Sequence, residues 1–198
     1  GYIPVAFVSN PSSTASLSTQ YTTAVNTYGY EVAGVINGGY FTTSTKTLEG
    51  MVITDGKLIA ATKGNATVVA FGADGSMDIV TTQPKYTVVL NGKSFDNPIY
   101  YFNKDYNDAG SSNQSAYMFY YDYSNNAKTS YSSGVEVVFE KQNNTELAYG
   151  ETLVGKVIKK GTSTGTTLSE NQFVLYAKSG STYYSELSAL AVNDIVYS

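Results

Sequence analysis

Gly50-Met51-Val52-Ile53-Thr54-Asp55-Gly56-Lys57-Leu58-Ile59-Ala60-Ala61 is the stretch that decides the fold class. Two apolar runs flank Asp55-Gly56. An Asp-Gly pair in that position marks a tight β-hairpin, because both central residues of the turn need positive φ. The same pattern recurs downstream. Residues 66–71 and 77–81 read as strands around Asp74-Gly75, and residues 86–90 run as a strand into Asn91-Gly92.

Upstream, Val5-Ala6-Phe7-Val8 is a short apolar run stopped by Asn10-Pro11, which reads as a strand. Across residues 12–28, Leu17, Tyr21, Ala24, Val25 and Tyr28 fall at helical spacing, and Gly29 supplies a stop. Residues 32–36 are apolar and β-branched and end at Asn37-Gly38-Gly39, so the expected opening is strand, helix, strand. Downstream, residues 96–115 are rich in Asn, Asp, Ser and Gly without periodicity, which predicts a long loop. Strands are then expected at 117–123, 135–140, 151–159, 172–176 and 194–197. A short helix at 182–190 should turn Leu187 and Leu190 inward. No repeat or linker divides the 198 residues. The predicted class is α+β, with β-rich mixed sheets and two or three short helices in one domain over residues 1–198.

Composition narrows the chemistry. There is no Cys, His, Trp or Arg. That removes Ser-His and cysteine nucleophiles and the usual zinc sites, and leaves Asp, Glu, Lys and Tyr as acids or bases. No metal ligand set and no cofactor motif is assigned. Net charge is -4, with no basic cluster, so nucleic acid is not an expected partner. No run of about 18 apolar residues predicts a membrane span. A surface poor in charge (14% charged residues) but carrying 19 Tyr fits a secreted or cell-surface location.

Val35-Ile36-Asn37-Gly38-Gly39-Tyr40-Phe41, the Gly50 to Lys57 hairpin and Phe71-Gly72-Ala73-Asp74-Gly75 together resemble the opening half of the phosphodiester glycosidase domain family. The resemblance implies an exported hydrolase-like domain acting on carbohydrate or glycosyl phosphodiesters, without a cofactor. It differs from that family in two ways. The family's second half carries an Asp-Gly-Gly-Gly-Ser type motif that this chain lacks, so a second polypeptide segment is expected to complete the site. Asn113-Gln114 stands where the family commonly has Asn-Arg.

The residues can be read without the family. Two glycines after a strand let backbone approach a ligand closely and offer it N–H groups, or they form a plain tight turn. On the first reading Asn37, Gly38 and Gly39 line a pocket, Tyr40 is a platform for a sugar ring, and Asn113 adds a polar contact. Hydrolysis of a glycosidic bond generally uses two carboxylates. Glu49, between the glycine turn and the next strand, and Asp105, in the long loop, are the candidates, with Asp108 behind them and a solvated surface role as the alternative for each. Asp55 and Asp74 are accounted for by turn chemistry. Residues 105–116 begin like a calcium loop but fail at Ala109 and Ala116. Tyr100-Tyr101 and the tyrosines of 117–123 could stack on sugars, although alternation in a strand makes half of them core.

Overall fold

The chain is described by a computed structural model covering residues 4–7, 14–36, 38–39, 41, 48–104, 116–123, 133–143, 146–162 and 165–197. Among these it is mostly β, with two short helices. The strands are β1 (Val52–Thr54), β2 (Lys57–Thr62), β3 (Ala66–Phe71), β4 (Met77–Thr82), β5 (Thr87–Leu90), β6 (Lys93–Asp96), β7 (Ile99–Phe102), β8 (Met118–Asp122), β9 (Gly134–Lys141), β10 (Val154–Gly161), β11 (Gln172–Lys178) and β12 (Ile195–Tyr197). The helices are α1 (Leu17–Asn26) and α2 (Tyr184–Ala189). Ten strands form one mixed sheet in the order β1-β2-β7-β8-β11-β9-β10-β12-β5-β6, while β3 and β4 pair separately. Within the large sheet β7 and β8 run parallel and the other neighbours antiparallel.

The three expected hairpins form. Asp55-Gly56 (φ 50° and 76°) joins β1 to β2, and Asn91-Gly92 (φ 50° and 77°) joins β5 to β6. Both central residues are left-handed in each, as a two-residue hairpin requires. At the β3–β4 turn hydrogen bonds from the Ser76 side chain first, and then from Ser76 N–H at 2.9 Å, hold the Asp74 carboxyl below its ordinary pKa. Turn chemistry accounts for both aspartates.

The centre of the sheet is apolar on both faces. Every residue of β8 is buried, and so are most of β9 and β11. One face packs Phe102, Tyr120, Phe139, Phe173 and Leu175 with Leu187 and Leu190. Phe139 and Phe173 stack at 4.9 Å, and Phe173 stacks on Tyr120 at 5.7 Å. The other face gathers Tyr101, Phe119, Tyr121, Val138, Val174 and Tyr176. Large aromatic side chains bury more apolar area than any other type, so this paired layer is the main source of stability.

Four expectations change. Residues 4–7 form no strand and Val5 is exposed; Val8 lies outside the described residues. Residues 32–36 also form no strand, and Ile36 is 89% exposed. Neither run finds a partner strand among the described residues, and β-propensity alone does not hold a strand. The strand, helix, strand opening therefore reduces to α1. That helix has its Ser16 cap, with Oγ accepting from Thr19 N–H at 3.1 Å, yet Leu17 and Tyr21 face solvent and Ala24 alone of the helix is buried. Finally, β7 occupies residues assigned to the long loop. Ile99 and Phe102 are each 1% exposed, so burial between β2 and β8 overrides the turn-like composition around them.

Candidate functional site

Glu49 lies between a bridge and a strand. Leu48 before it forms an isolated antiparallel bridge with Phe41, and β1 begins at Val52. Gly38 and Gly39 are exposed, and a Cβ built on either would meet no atom within 4 Å. Crowding among the described atoms therefore does not require glycine there. Asn37, Tyr40, Asp105 and Asn113, which the sequence reading assigned to the site, lie outside the described residues, as do Asp108 and the rest of the failed calcium pattern up to residue 115.

The carboxylate of Glu49 accepts a hydrogen bond from the Lys104 ammonium. The lysine side chain is 5% exposed and the glutamate side chain 40%. A buried cation thus meets water through its partner. Lys104 also lies 5.0 Å above the Tyr101 ring and 3.5 Å from Thr62 Oγ1. Thr62 and Tyr101 are register partners across β2 and β7, so the two strands together make the floor on which the ion pair sits. Just past the end of β2, Lys63 lies 4.8 Å over the Tyr117 ring and donates to the Asn97 carbonyl at 2.8 Å. Tyr100 contacts both Tyr101 and Tyr117. A cavity of about 100 Å³ lies beyond, lined by Lys63, Gly64, Gln83, Pro84, Tyr86, Asn97 and Phe102.

A second carboxylate, Asp122, ends β8. It is 8% exposed and accepts from Tyr120 Oη at 3.0 Å and from Asn103 Nδ2 at 3.0 Å. Burial first, and then the neighbouring Asp122 carboxylate, pushes the Tyr120 phenol well above its ordinary range, so it stays a donor. Tyr120 belongs to the face of Phe102, whereas Lys104 covers Tyr101 on the other face. Asp122 and Glu49 therefore stand on opposite sides of β7. They do not form a pair across one cleft.

The tyrosines of residues 117–123 separate in the same way. Tyr120 and Tyr121 are 2% and 4% exposed and belong to the core, as does Tyr101 at 6%. They offer no stacking surface. Tyr100 and Tyr117 are half-buried and Tyr123 is exposed. The sequence reading singles out none of Lys104, Asn103 and Asp122. The usable signal was Ile99-Tyr100-Tyr101-Phe102, an unbroken apolar run between Pro98 and Asn103 that marks a buried strand and hence functional positions at its end.

The Glu49 arrangement has a counterpart elsewhere. Lys141, 6% exposed in its side chain, donates to Glu146 at 3.0 Å, and Glu146 is 44% exposed. There the pair fastens the chain that forms the Lys57↔Ala148 bridge to the sheet. A buried lysine holding a half-exposed glutamate is thus a docking device in this fold, and Glu49 differs in following Leu48, which bridges to Phe41, two residues after Gly39. Chemically, a carboxylate held by an ammonium is a hydrogen-bond acceptor or a base.

Among the described residues no three acidic side chains gather as a metal site, and no helix is long and apolar enough to cross a membrane. Comparison with protein families finds no family model that matches, and comparison with curated proteins finds no match. Two solved structures are similar in fold. A hypothetical protein from Synechocystis aligns with a TM-score of 0.52 at 12% identity over 82% of this chain. A protein from Burkholderia pseudomallei K96243, whose name assigns it provisionally to export, aligns with a TM-score of 0.52 at 15% identity over 82% of this chain. The chain spans 27% and 36% of those two proteins' lengths.

Proposed function

We propose that this chain is an exported, glycan-directed domain of α+β class, hydrolase-like in the manner of phosphodiester glycosidases, that contributes one wall of a carbohydrate site. Its ligand on this reading is a sugar or glycosyl phosphodiester, with no nucleic acid partner and no membrane span, and a second polypeptide segment completes the pocket. The observation that carries the reading is the placement of Glu49: half-exposed, held by buried Lys104, and following Leu48, whose bridge to Phe41 brings it to the stretch just after Gly38-Gly39. An acceptor carboxylate whose lysine covers Tyr101, with half-buried Tyr100 and Tyr117 packed onward from that ring, suits sugar hydroxyls.

A second reading, a non-catalytic glycan-binding module, is favoured by one observation. Asp122, the buried carboxylate beside Lys104's neighbour Asn103, is directed to the opposite face of β7. Glycosidic hydrolysis needs a second group across the scissile bond, and positioned groups of that kind act as a unit.

Purified chain should be tested for binding to a glycan panel and for turnover of synthetic sugar-1-phosphodiesters, with Glu49→Gln and Asn37→Ala alongside. Binding is expected in the unaltered chain and weakened about tenfold or more in Glu49→Gln, as for a lost charged hydrogen bond. Turnover by the chain alone is expected to be poor or nil. Turnover abolished in either variant would replace the one-wall reading with a complete enzyme; no glycan binding at all would remove the functional proposal.

A further inference from the structure

We propose that Asn103 is the positioning residue of the Glu49 site, turning the chain at the end of β7 so that Lys104 reaches the Glu49 carboxylate. This rests on Glu49 being a site residue.

The argument begins with alternation. Residues two apart on a strand share a face, so a continuing β7 would set Lys104 on the side of Phe102. Its ammonium instead lies over Tyr101, on the other face. The reversal occurs at Asn103, whose φ is 54°. Left-handed backbone is uncommon outside glycine, and asparagine tolerates it better than nearly any other side chain.

The side chain then fastens this conformation. Asn103 Nδ2 donates to the Ile59 carbonyl at 2.8 Å and to Asp122 Oδ1 at 3.0 Å, and its Oδ1 accepts from Asp122 N–H at 2.9 Å. Its own backbone N–H donates to the Tyr120 carbonyl at 2.9 Å. One residue, 4% exposed, thus ties the end of β7 to β2 and to β8. Both donors and the acceptor of the carboxamide are used, a set that neither Asp nor Leu reproduces. Of the other left-handed asparagines among the described residues, Asn91 and Asn193 lie in exposed turns and Asn97 is half-buried ahead of β7, whereas Asn103 is buried and immediately precedes the site lysine.

A double-mutant cycle tests this without a ligand. The unfolding constants of wild type, Glu49→Gln, Lys104→Met and the double variant yield a coupling ratio for the pair. The same four are then made in an Asn103→Ala background and an Asn103→Gly background. In the wild-type background the ratio should be about fivefold or more, within the range for contacting residues. It should fall to about one with Ala, which disfavours the left-handed backbone and removes the ties. It should fall at least by half with Gly, which keeps the backbone and loses the ties. A purely structural asparagine would lower the stability of all four proteins alike and leave the ratio unchanged, and that result in any background that folds overturns the proposal. If neither background folds, a crystal structure of the unaltered chain decides: Asn103 outside the left-handed region, or Lys104 turned away from Glu49, overturns it. Absence of glycan binding with a collapsing ratio would remove the proposed function and keep the positioning role.

Discussion

Breaking the Glu49–Lys104 pair from its two ends should give very different costs. In Lys104→Met the residue left behind is a carboxylate whose side chain is 40% exposed, so water can take the ammonium's place. The methionine can cover Tyr101, and the loss resembles that of an exposed pair, about 0–1 kcal/mol. In Glu49→Gln the residue left behind is an ammonium on a side chain only 5% exposed. Stranding a buried charge costs roughly 3–5 kcal/mol. The Tyr101 ring at 5.0 Å returns part of that, about 1–2 kcal/mol for a desolvated cation–π contact. The net cost is about 1–4 kcal/mol, centred on about 2.5, so the two variants should differ by about 2 kcal/mol. Urea denaturation at neutral pH reads this directly. With an m-value near 2 kcal/mol/M, the Glu49→Gln midpoint should lie about 1 M below that of Lys104→Met. Equal midpoints, or a lower one for Lys104→Met, would refute the assignment of the lysine as the buried member of the pair.

Three further outcomes are expected. In Gly155→Ala the new Cβ would lie 2.7 Å from Phe173 Cε1 and 3.0 Å from Phe139 Cβ, and the stacked rings cannot swing aside. Overpacking of about 1–3 kcal/mol should appear as a drop in thermal midpoint, and an unchanged midpoint would mean the stack is looser than described. Burial raises the phenols of Tyr86 and Tyr120 above 10.0, so the folded state holds protons that the unfolded state releases. Stability should be whole below pH 10 and fall as pH rises beyond it, with part of the tyrosine absorbance change delayed until unfolding. Full tyrosinate absorbance in still-folded protein would contradict this. On the β3–β4 hairpin, Ile79 is 68% exposed, and Ile79→Lys should alter stability by less than about 0.5 kcal/mol in denaturant melts. A larger loss would show that something covers that face.

The parts of this fold legible in the sequence were those fixed by neighbours in the chain. Asp55-Gly56, Asp74-Gly75 and Asn91-Gly92 dictate hairpins locally because their backbone conformation is special, and all three hairpins are present. The helical spacing of Leu187 and Leu190 was likewise enough to foresee α2 and its buried side. Val32 to Ile36 misled for the complementary reason. A β-branched run declares an aptitude for pairing, and no partner strand meets it among the described residues. β7 was missed by the same logic reversed: Asp96-Asn97-Pro98 before it and Asn103-Lys104 after it look like loop, yet β2 and β8 enclose it on both sides.

The candidate site divides along that line as well. Glu49 could be nominated from position alone, because it lies between a glycine turn and a strand. Its partner could not. Lys104 is 55 residues away, and regular alternation would have sent it to the wrong face. Only the left-handed turn at Asn103 brings it across, and that turn depends on carbonyls and a carboxylate supplied by β2 and β8. An asparagine in a polar stretch reads as loop filler until its surroundings show that its amide is fully bonded and its backbone reversed. The chemistry of this site is therefore set where the sheet closes around the end of β7, and the residue whose identity matters most there is the one whose side chain never reaches the solvent-facing carboxylate.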